Sequence, residues 1–184
     1  MARVSGTGVA RLALRSAVGG TMVAHGIRHG RSLDGTAGWF ASIGFRQPRT
    51  QAIASAMVEI GAGGALIGGV ATPLAAAAVV GVMAVAARTV HMPNGFFITG
   101  EGYEYVLNLS ASSVALAALG PGALSIDRLL GVHDKLTPGQ RAALAGGLGL
   151  GAAAAQLAVF WRAPAPVTET TAPERSTPEP AAQQ

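Results

Sequence analysis

The sequence predicts an all-α membrane protein: an antiparallel four-helix transmembrane bundle, an interfacial helix, a fifth transmembrane helix and a disordered C-terminal tail. Three observations lead there. Half of the 184 residues are hydrophobic and only 12% are charged, against about 25% charged in ordinary soluble domains. Several apolar runs reach the ~20 residues a helix needs to cross a bilayer. Finally, Pro, Gly and Asn turn signals punctuate the runs and give them short connections.

The first run covers residues 9–27 and carries Arg11, Arg15 and His25. Two arginines interrupt it, which argues against the apolar region of a cleaved signal peptide. Arg11 and Arg15, four residues apart, are expected to snorkel toward lipid phosphates. The second run, residues 51–70, contains one ionisable residue, Glu59. It ends at Ala71-Thr72-Pro73, where Thr72 suits a helix cap and Pro73 the first turn of the next helix. So short a link makes helices two and three an antiparallel hairpin.

The third run, residues 74–91, stops at Met92-Pro93-Asn94-Gly95, because proline cannot continue a helix and Asn-Gly favours a turn. Phe96, Phe97, Tyr103 and Tyr105 follow, a grouping suited to a membrane–water interface. A fourth run, residues 104–119, ends at Gly120-Pro121-Gly122. Ser125 then suits the cap of a short helix with Ile126, Leu129, Leu130 and His133 at helical spacing, read as lying in the interface plane.

Thr137, Pro138 and Gln140 have the pattern of a capping box with proline in the first turn. They open the fifth run, residues 141–161, which ends at Phe160, Trp161 and Arg162. Residues 163–184 are rich in Pro, Thr, Glu and Ala, and bury too little surface to offset ordering. The chain divides accordingly into a four-helix domain with its interfacial helix (1–136), an added helix (137–162) and a tail (163–184). Gly64 with Gly68 and Gly147 with Gly151 give small-xxx-small spacings that allow close helix packing.

Charge and composition narrow the function classes. The formal charge is +4, yet the arginines flank apolar runs and form no basic stripe with interleaved aromatics. The expected partner is therefore the lipid bilayer and not nucleic acid. The chain has no cysteine, which excludes disulfides, cysteine-ligated metals and thiol redox chemistry of its own. Neither a phosphate-binding loop nor a serine-hydrolase elbow is present.

Antiparallel connectivity places His25, Glu59, Arg88, His91 and Glu104 in one leaflet. A charge at the centre of a spanning helix costs at least about 2.5 kcal/mol, so such groups face the bundle interior and find partners. Arg88 and His91 share a helix face, and Glu101, Glu104, Asn108 and Ser112 form a polar stripe. Glu59 with Arg88 is the preferred ion pair. The candidate ligand-binding set is His25, Glu59, Arg88, His91, Glu104 and Asn108. It reads either as mutual neutralisation that fixes helix register or as a polar pocket that binds a small molecule or relays protons. His25 and His29 have a metal-compatible spacing, but Arg28 lies between them and the zinc-protease glutamate is missing. They are read as interface or pocket histidines, with no metal.

These motifs, in order, resemble a known family. His25-Gly26, Trp39-Phe40-Ala41-Ser42-Ile43-Gly44-Phe45, Glu59, Thr89-Val90-His91-Met92-Pro93-Asn94-Gly95-Phe96-Phe97, Gly102-Tyr103-Glu104-Tyr105 and Gly120-Pro121-Gly122-Ala123-Leu124-Ser125-Ile126-Asp127 together look like DoxX membrane proteins. The resemblance implies a four-helix bundle in the bacterial plasma membrane, related to a small subunit of a thiosulfate:quinone oxidoreductase. His25, Glu59, His91 and Glu104 match the family's recurring polar positions, and Arg88 lies in the segment leading to His91. Arg28-His29-Gly30 departs from the usual continuation after His25-Gly26, and the fifth run and tail are additions.

The expectation that follows is a membrane subunit of a redox system, with no covalently bound cofactor, a quinone as candidate ligand and soluble redox enzymes as partners. The alternatives are a non-enzymatic anchor that assembles soluble redox or stress-response proteins, and a small-solute or proton transporter.

Overall fold

The computed structural model describes residues 5–132 and 135–164. Among them the regular structure is helical, in the order α1 (Gly6–Arg31), α2 (Leu33–Ser42), α3 (Pro48–Gly68), α4 (Thr72–Ala86), α5 (Glu104–Leu119), α6 (Ile126–Leu129) and α7 (Pro138–Phe160). Helix α4 runs on through a π-helical turn, Ala87–His91, into a short 3-10 turn, Met92–Asn94.

Among the described residues three helical stretches are long and apolar enough to cross a membrane: Pro48–Gly68, Thr72–Asn94 and Pro138–Phe160. The chain is an all-α membrane protein. Helices α1 and α5 fall outside that criterion for different reasons. Arginines 11, 15, 28 and 31 lower the hydropathy of α1, and the 16 residues of α5 rise only about 24 Å. Both nevertheless pack with the apolar helices in one bundle. Val18 and Met22 of α1, Leu66 of α3, Val79 and Met83 of α4, and Val106 and Leu116 of α5 make a common core.

Apolar side chains gain little from leaving lipid, so close packing has to hold such helices together. Glycines on facing helices provide it. A Cβ added to Gly19 of α1 would stand 2.6 Å from the Gly63 carbonyl of α3, and one added to Gly149 of α7 would stand 2.6 Å from the Ala77 carbonyl of α4. The spacings singled out in the sequence do not form these contacts: Gly64, Gly147 and Gly151 meet nothing within 4 Å, and Gly68 meets only the Ile126 side chain and Val70. The seam runs one residue before Gly64, through Gly63, and through Gly149 between Gly147 and Gly151.

Helix α7 is integral to the bundle. It packs along α4 and against α5, with Ala76, Ala117 and Ala145 buried where the three meet. Its start is the capping box expected, with Thr137 and Gln140 each bonding the other's backbone. Its end is clipped to the α2–α3 connection. Arg46 N donates to Phe160 O (2.7 Å), Arg162 N to Gly44 O (3.0 Å) and Trp161 Nε1 to Ile43 O (2.8 Å). Gly44 has φ +93° at this approach, a conformation that only glycine adopts without strain.

Two other local expectations are corrected. Thr72 does not cap α4: Ala71 takes the cap position in the left-handed region, and the buried Thr72 hydroxyl has no hydrogen bond among the described residues. Arg15 does not snorkel. It is 3% exposed, and its guanidinium donates to the carbonyls of Leu66, Ile67, Pro121 and Leu124. Two of these are among the last carbonyls of α3, which lack partners within the helix and favour a cation.

Ser125 caps α6 by accepting from Arg128 N (3.2 Å). His133, expected on that helix, and residues 165–184 of the expected tail lie outside the described residues.

Candidate functional site

Helix α2 was not anticipated as a helix, because Gly35 and Gly38 weaken a ten-residue segment. Its Leu33, Ala37 and Phe40 nonetheless share one face and pack on Phe45, Ala52 of α3, Val85 of α4 and Ala153 of α7. Packed this way, α2 closes one end of a cavity of about 610 Å³ between α3, α4 and α7. Trp39, Phe40, Ile43, Val85 and Phe160 give it apolar and aromatic walls. His29, Thr50, Gln51, Ser55, Glu59, Thr89 and Gln156 supply its polar groups.

Glu59 anchors the polar side. It is 3% exposed, and its Oε1 accepts from Ser55 Oγ one turn earlier (2.6 Å). Its Oε2 has no hydrogen-bond donor among the described residues, but lies 3.3 Å from His29 Nδ1 of α1. That nitrogen is also 3.1 Å from Ser55 Oγ. Because the Ser55 hydroxyl gives its proton to Glu59, its oxygen accepts from His29, so Nδ1 carries hydrogen. The other ring nitrogen, Nε2, has no hydrogen bond among the described residues.

The array continues outward. The His25 and His29 rings are 6.5 Å apart in an edge-on arrangement, and His25 Nε2 is 3.2 Å from Tyr105 Oη of α5. Trp39 lies beside the His29 ring at 6.4 Å. Across the cavity, Gln156 Nε2 donates to Gln51 Oε1 (2.8 Å), tying α7 to α3.

The residues singled out from the sequence separate into two groups. Glu59 lines the cavity, and His25 reaches it through His29. His91, Glu104 and Asn108 serve the connection between α4 and α5, and Arg88 turns to the end of α7. Arg88 stacks on the Trp161 ring at 4.6 Å, a cation–π contact, so the expected Glu59–Arg88 pair is replaced by Glu59 with His29. His91 Nδ1 donates to Glu101 O (2.6 Å), Glu104 Oε2 accepts from Ile98 N (3.1 Å) and Asn108 Nδ2 donates to Glu104 O (2.9 Å).

The cavity residues that sequence reasoning passed over are Trp39, Thr50, Gln51, Ser55, Thr89 and Gln156. Ser55 had a legible signal, since it stands four residues before Glu59 on the same face. The glutamines had none, because neutral amides raise no charge-burial alarm and their contact joins residues 105 apart.

A family model described as DoxX matches residues 10–92. No curated protein and no solved structure matches the chain. The matched stretch runs from α1 to the end of the π turn and holds His25, His29, Trp39, Gln51, Ser55, Glu59 and Thr89. It stops before α7, which contributes Gln156 and Phe160. Over residues 10–92 the chain is thus similar to the DoxX family, and α7, beyond the matched stretch, completes the cavity wall.

Proposed function

We propose that the chain is a multi-pass membrane subunit of a quinone-linked redox system in a bacterial plasma membrane, with the quinone ring held in the α3–α4–α7 cavity. One observation carries this reading. An otherwise apolar, aromatic cavity of about 610 Å³ presents the buried Glu59–His29 pair at one wall. Small-molecule sites have this character, with apolar walls and a few convergent polar groups. A quinone needs both an aromatic slot and hydrogen-bond donors for its carbonyl oxygens.

A bound quinone supplies the two-electron chemistry, and the chain's residues govern binding and protons. Trp39, Phe40 and Phe160 flank the ring and exclude water. The Gln51 amide nitrogen and an N–H at His29 Nε2 would donate to the carbonyl oxygens. Glu59 exchanges the proton with His29, and His25 with Tyr105 extends that exchange toward the surface. With no cysteine in the chain, electrons pass through a bound molecule or a partner, for which a soluble redox enzyme is the candidate.

The test is equilibrium binding of menaquinone and ubiquinone analogues to the full chain in lipid nanodiscs. His29→Ala and Glu59→Gln are expected to weaken binding about tenfold, the scale of a charge-assisted hydrogen bond. His91→Ala and Glu104→Gln leave it unchanged. Unaltered affinity in both His29→Ala and Glu59→Gln overturns the reading.

A further inference from the structure

A second cavity, of about 380 Å³, lies at the opposite end of the bundle and is lined by Arg11, Arg128 and Arg141 around the turn at residues 121–123. The three arginines come from three separate elements, α1, α6 and α7. Two are held in place by the C-terminal end of α5: Arg11 Nε donates to Leu119 O (3.1 Å) and Arg141 Nη2 to Ala118 O (2.9 Å). Arg128 is exposed, and its guanidinium makes no hydrogen bond among the described residues. The neighbouring Asp127 does not line this cavity, and its charge acts on Arg15. Guanidinium forks match phosphate oxygens in geometry as well as charge.

The depth and the surroundings of this cavity say which phosphate it suits. Helix α3 ends at Gly68, α4 begins at Thr72 and α7 begins at Pro138, all at this end of the bundle. The arginines therefore stand where three apolar helices end, at headgroup level. Beside them Leu124, Leu129, Leu130 and Val132 are 66%, 84%, 71% and 57% exposed. A soluble phosphate has no use for that apolar skirt, whereas acyl chains cover it.

We infer that this cavity binds the phosphate of an anionic glycerophospholipid, with Arg11, Arg128 and Arg141 on the headgroup and its chains over Leu129 and Leu130. The site fixes one lipid at the junction of α1, α5, α6 and α7 and ties the short interfacial helix to the bundle.

The experiment uses the full chain, delipidated in detergent, with lipid binding read by native mass spectrometry. Phosphatidylglycerol, phosphatidylcholine of the same acyl chains, and inorganic phosphate are the three probes. Phosphatidylglycerol is expected to bind at least about tenfold more tightly than phosphatidylcholine. Arg128→Gln lowers that preference about fivefold, the scale of one basic residue at an anionic surface. Because Arg128 is exposed, the variant keeps its helix content. The pair Leu129→Ser and Leu130→Ser keeps all three arginines and also weakens phosphatidylglycerol. Equal affinity for the two lipids, or an unchanged preference in Arg128→Gln, overturns the inference. Displacement of phosphatidylglycerol by millimolar inorganic phosphate, or full affinity in the double serine variant, assigns the cavity to a soluble phosphate and overturns the lipid.

Discussion

His29 of α1 and Glu59 of α3 meet with Nδ1 3.3 Å from Oε2, and glycine brings them there. One turn before His29, a Cβ on Gly26 would lie 2.9 Å from the Ala56 carbonyl. The two backbones approach so closely at that level that an imidazole spans the remaining gap to a carboxylate one turn along. The same close approach buries Glu59, which makes the imidazole its necessary partner. Packing of α1 on α3 and the chemistry of the cavity are thus consequences of one seam.

Removing one member of this pair leaves the other exposed to its desolvation cost. His29→Ala is expected to destabilise the purified chain by about 3 kcal/mol, because an uncompensated buried carboxylate remains. Glu59→Gln costs less, since the amide still accepts from Ser55. The double variant His29→Ala with Glu59→Gln is expected to be more stable than His29→Ala alone. Thermal unfolding of the four proteins in one detergent gives the coupling. Strict additivity would show that the pair does not interact.

The glycine seam gives a sharper contrast, between adjacent residues. Gly63→Ala puts a methyl group 2.6 Å from the Gly19 carbonyl, which forces α1 and α3 apart at a cost of about 1–3 kcal/mol. Gly64→Ala meets nothing within 4 Å and gains helix propensity, so it is neutral or stabilising by up to about 1 kcal/mol. Unfolding midpoints of the two variants should fall on opposite sides of the parent or, for Gly64→Ala, beside it. A shared loss would mean that the small-residue spacing read from Gly64 and Gly68 is the true seam.

That contrast marks how far the sequence was legible. The existence and order of the long helices followed from run length and from Pro and Gly signals, whereas the ten-residue α2 did not. The Thr137–Gln140 box and the Ser125 cap formed as expected because they depend on three neighbouring residues. What depends on rotation about a helix axis was not legible: Gly63 and Gly64 are equally glycine, and only the packed bundle decides which faces α1. Glu59 was found from its charge alone, but its partner was misassigned. Connectivity fixes the leaflet of Arg88 and His29 alike, while their azimuth directs Arg88 to Trp161 and His29 to the carboxylate.

Arg15 tests the reading of a buried cation. Four carbonyls, those of Leu66, Ile67, Pro121 and Leu124, accept from one guanidinium. A lysine ammonium has three donors and no fork, so Arg15→Lys cannot satisfy them all. It is expected to cost about 2 kcal/mol, the scale of one or two charged hydrogen bonds, and Arg15→Leu more. Hydrogen exchange at the α3–α4 junction should rise in both variants, because the links from α1 and the 121–124 turn to the end of α3 are lost. Unchanged exchange there in Arg15→Leu would show that the junction holds without them.

The two tryptophans of the chain make the cavity observable without a label. Trp39 lines it beside His29, whereas Trp161 lies outside the lining, bonded to Ile43 O beneath Arg88. Trp161→Phe removes one hydrogen bond and keeps an aromatic ring at the clip, at a cost of about 1 kcal/mol, so the bundle stays folded with Trp39 as its sole indole. Titration with a short-tailed quinone is then expected to quench Trp39 emission saturably. Adding Glu59→Gln shifts the curve to about tenfold higher concentration. In the complementary Trp39→Phe variant, Trp161, which packs on the cluster holding the lining residues Phe40 and Val85 without lining the cavity itself, is expected to be quenched saturably but less strongly. Unsaturable quenching of Trp39, or a saturable curve that Glu59→Gln leaves unmoved, would place the quinone outside the cavity.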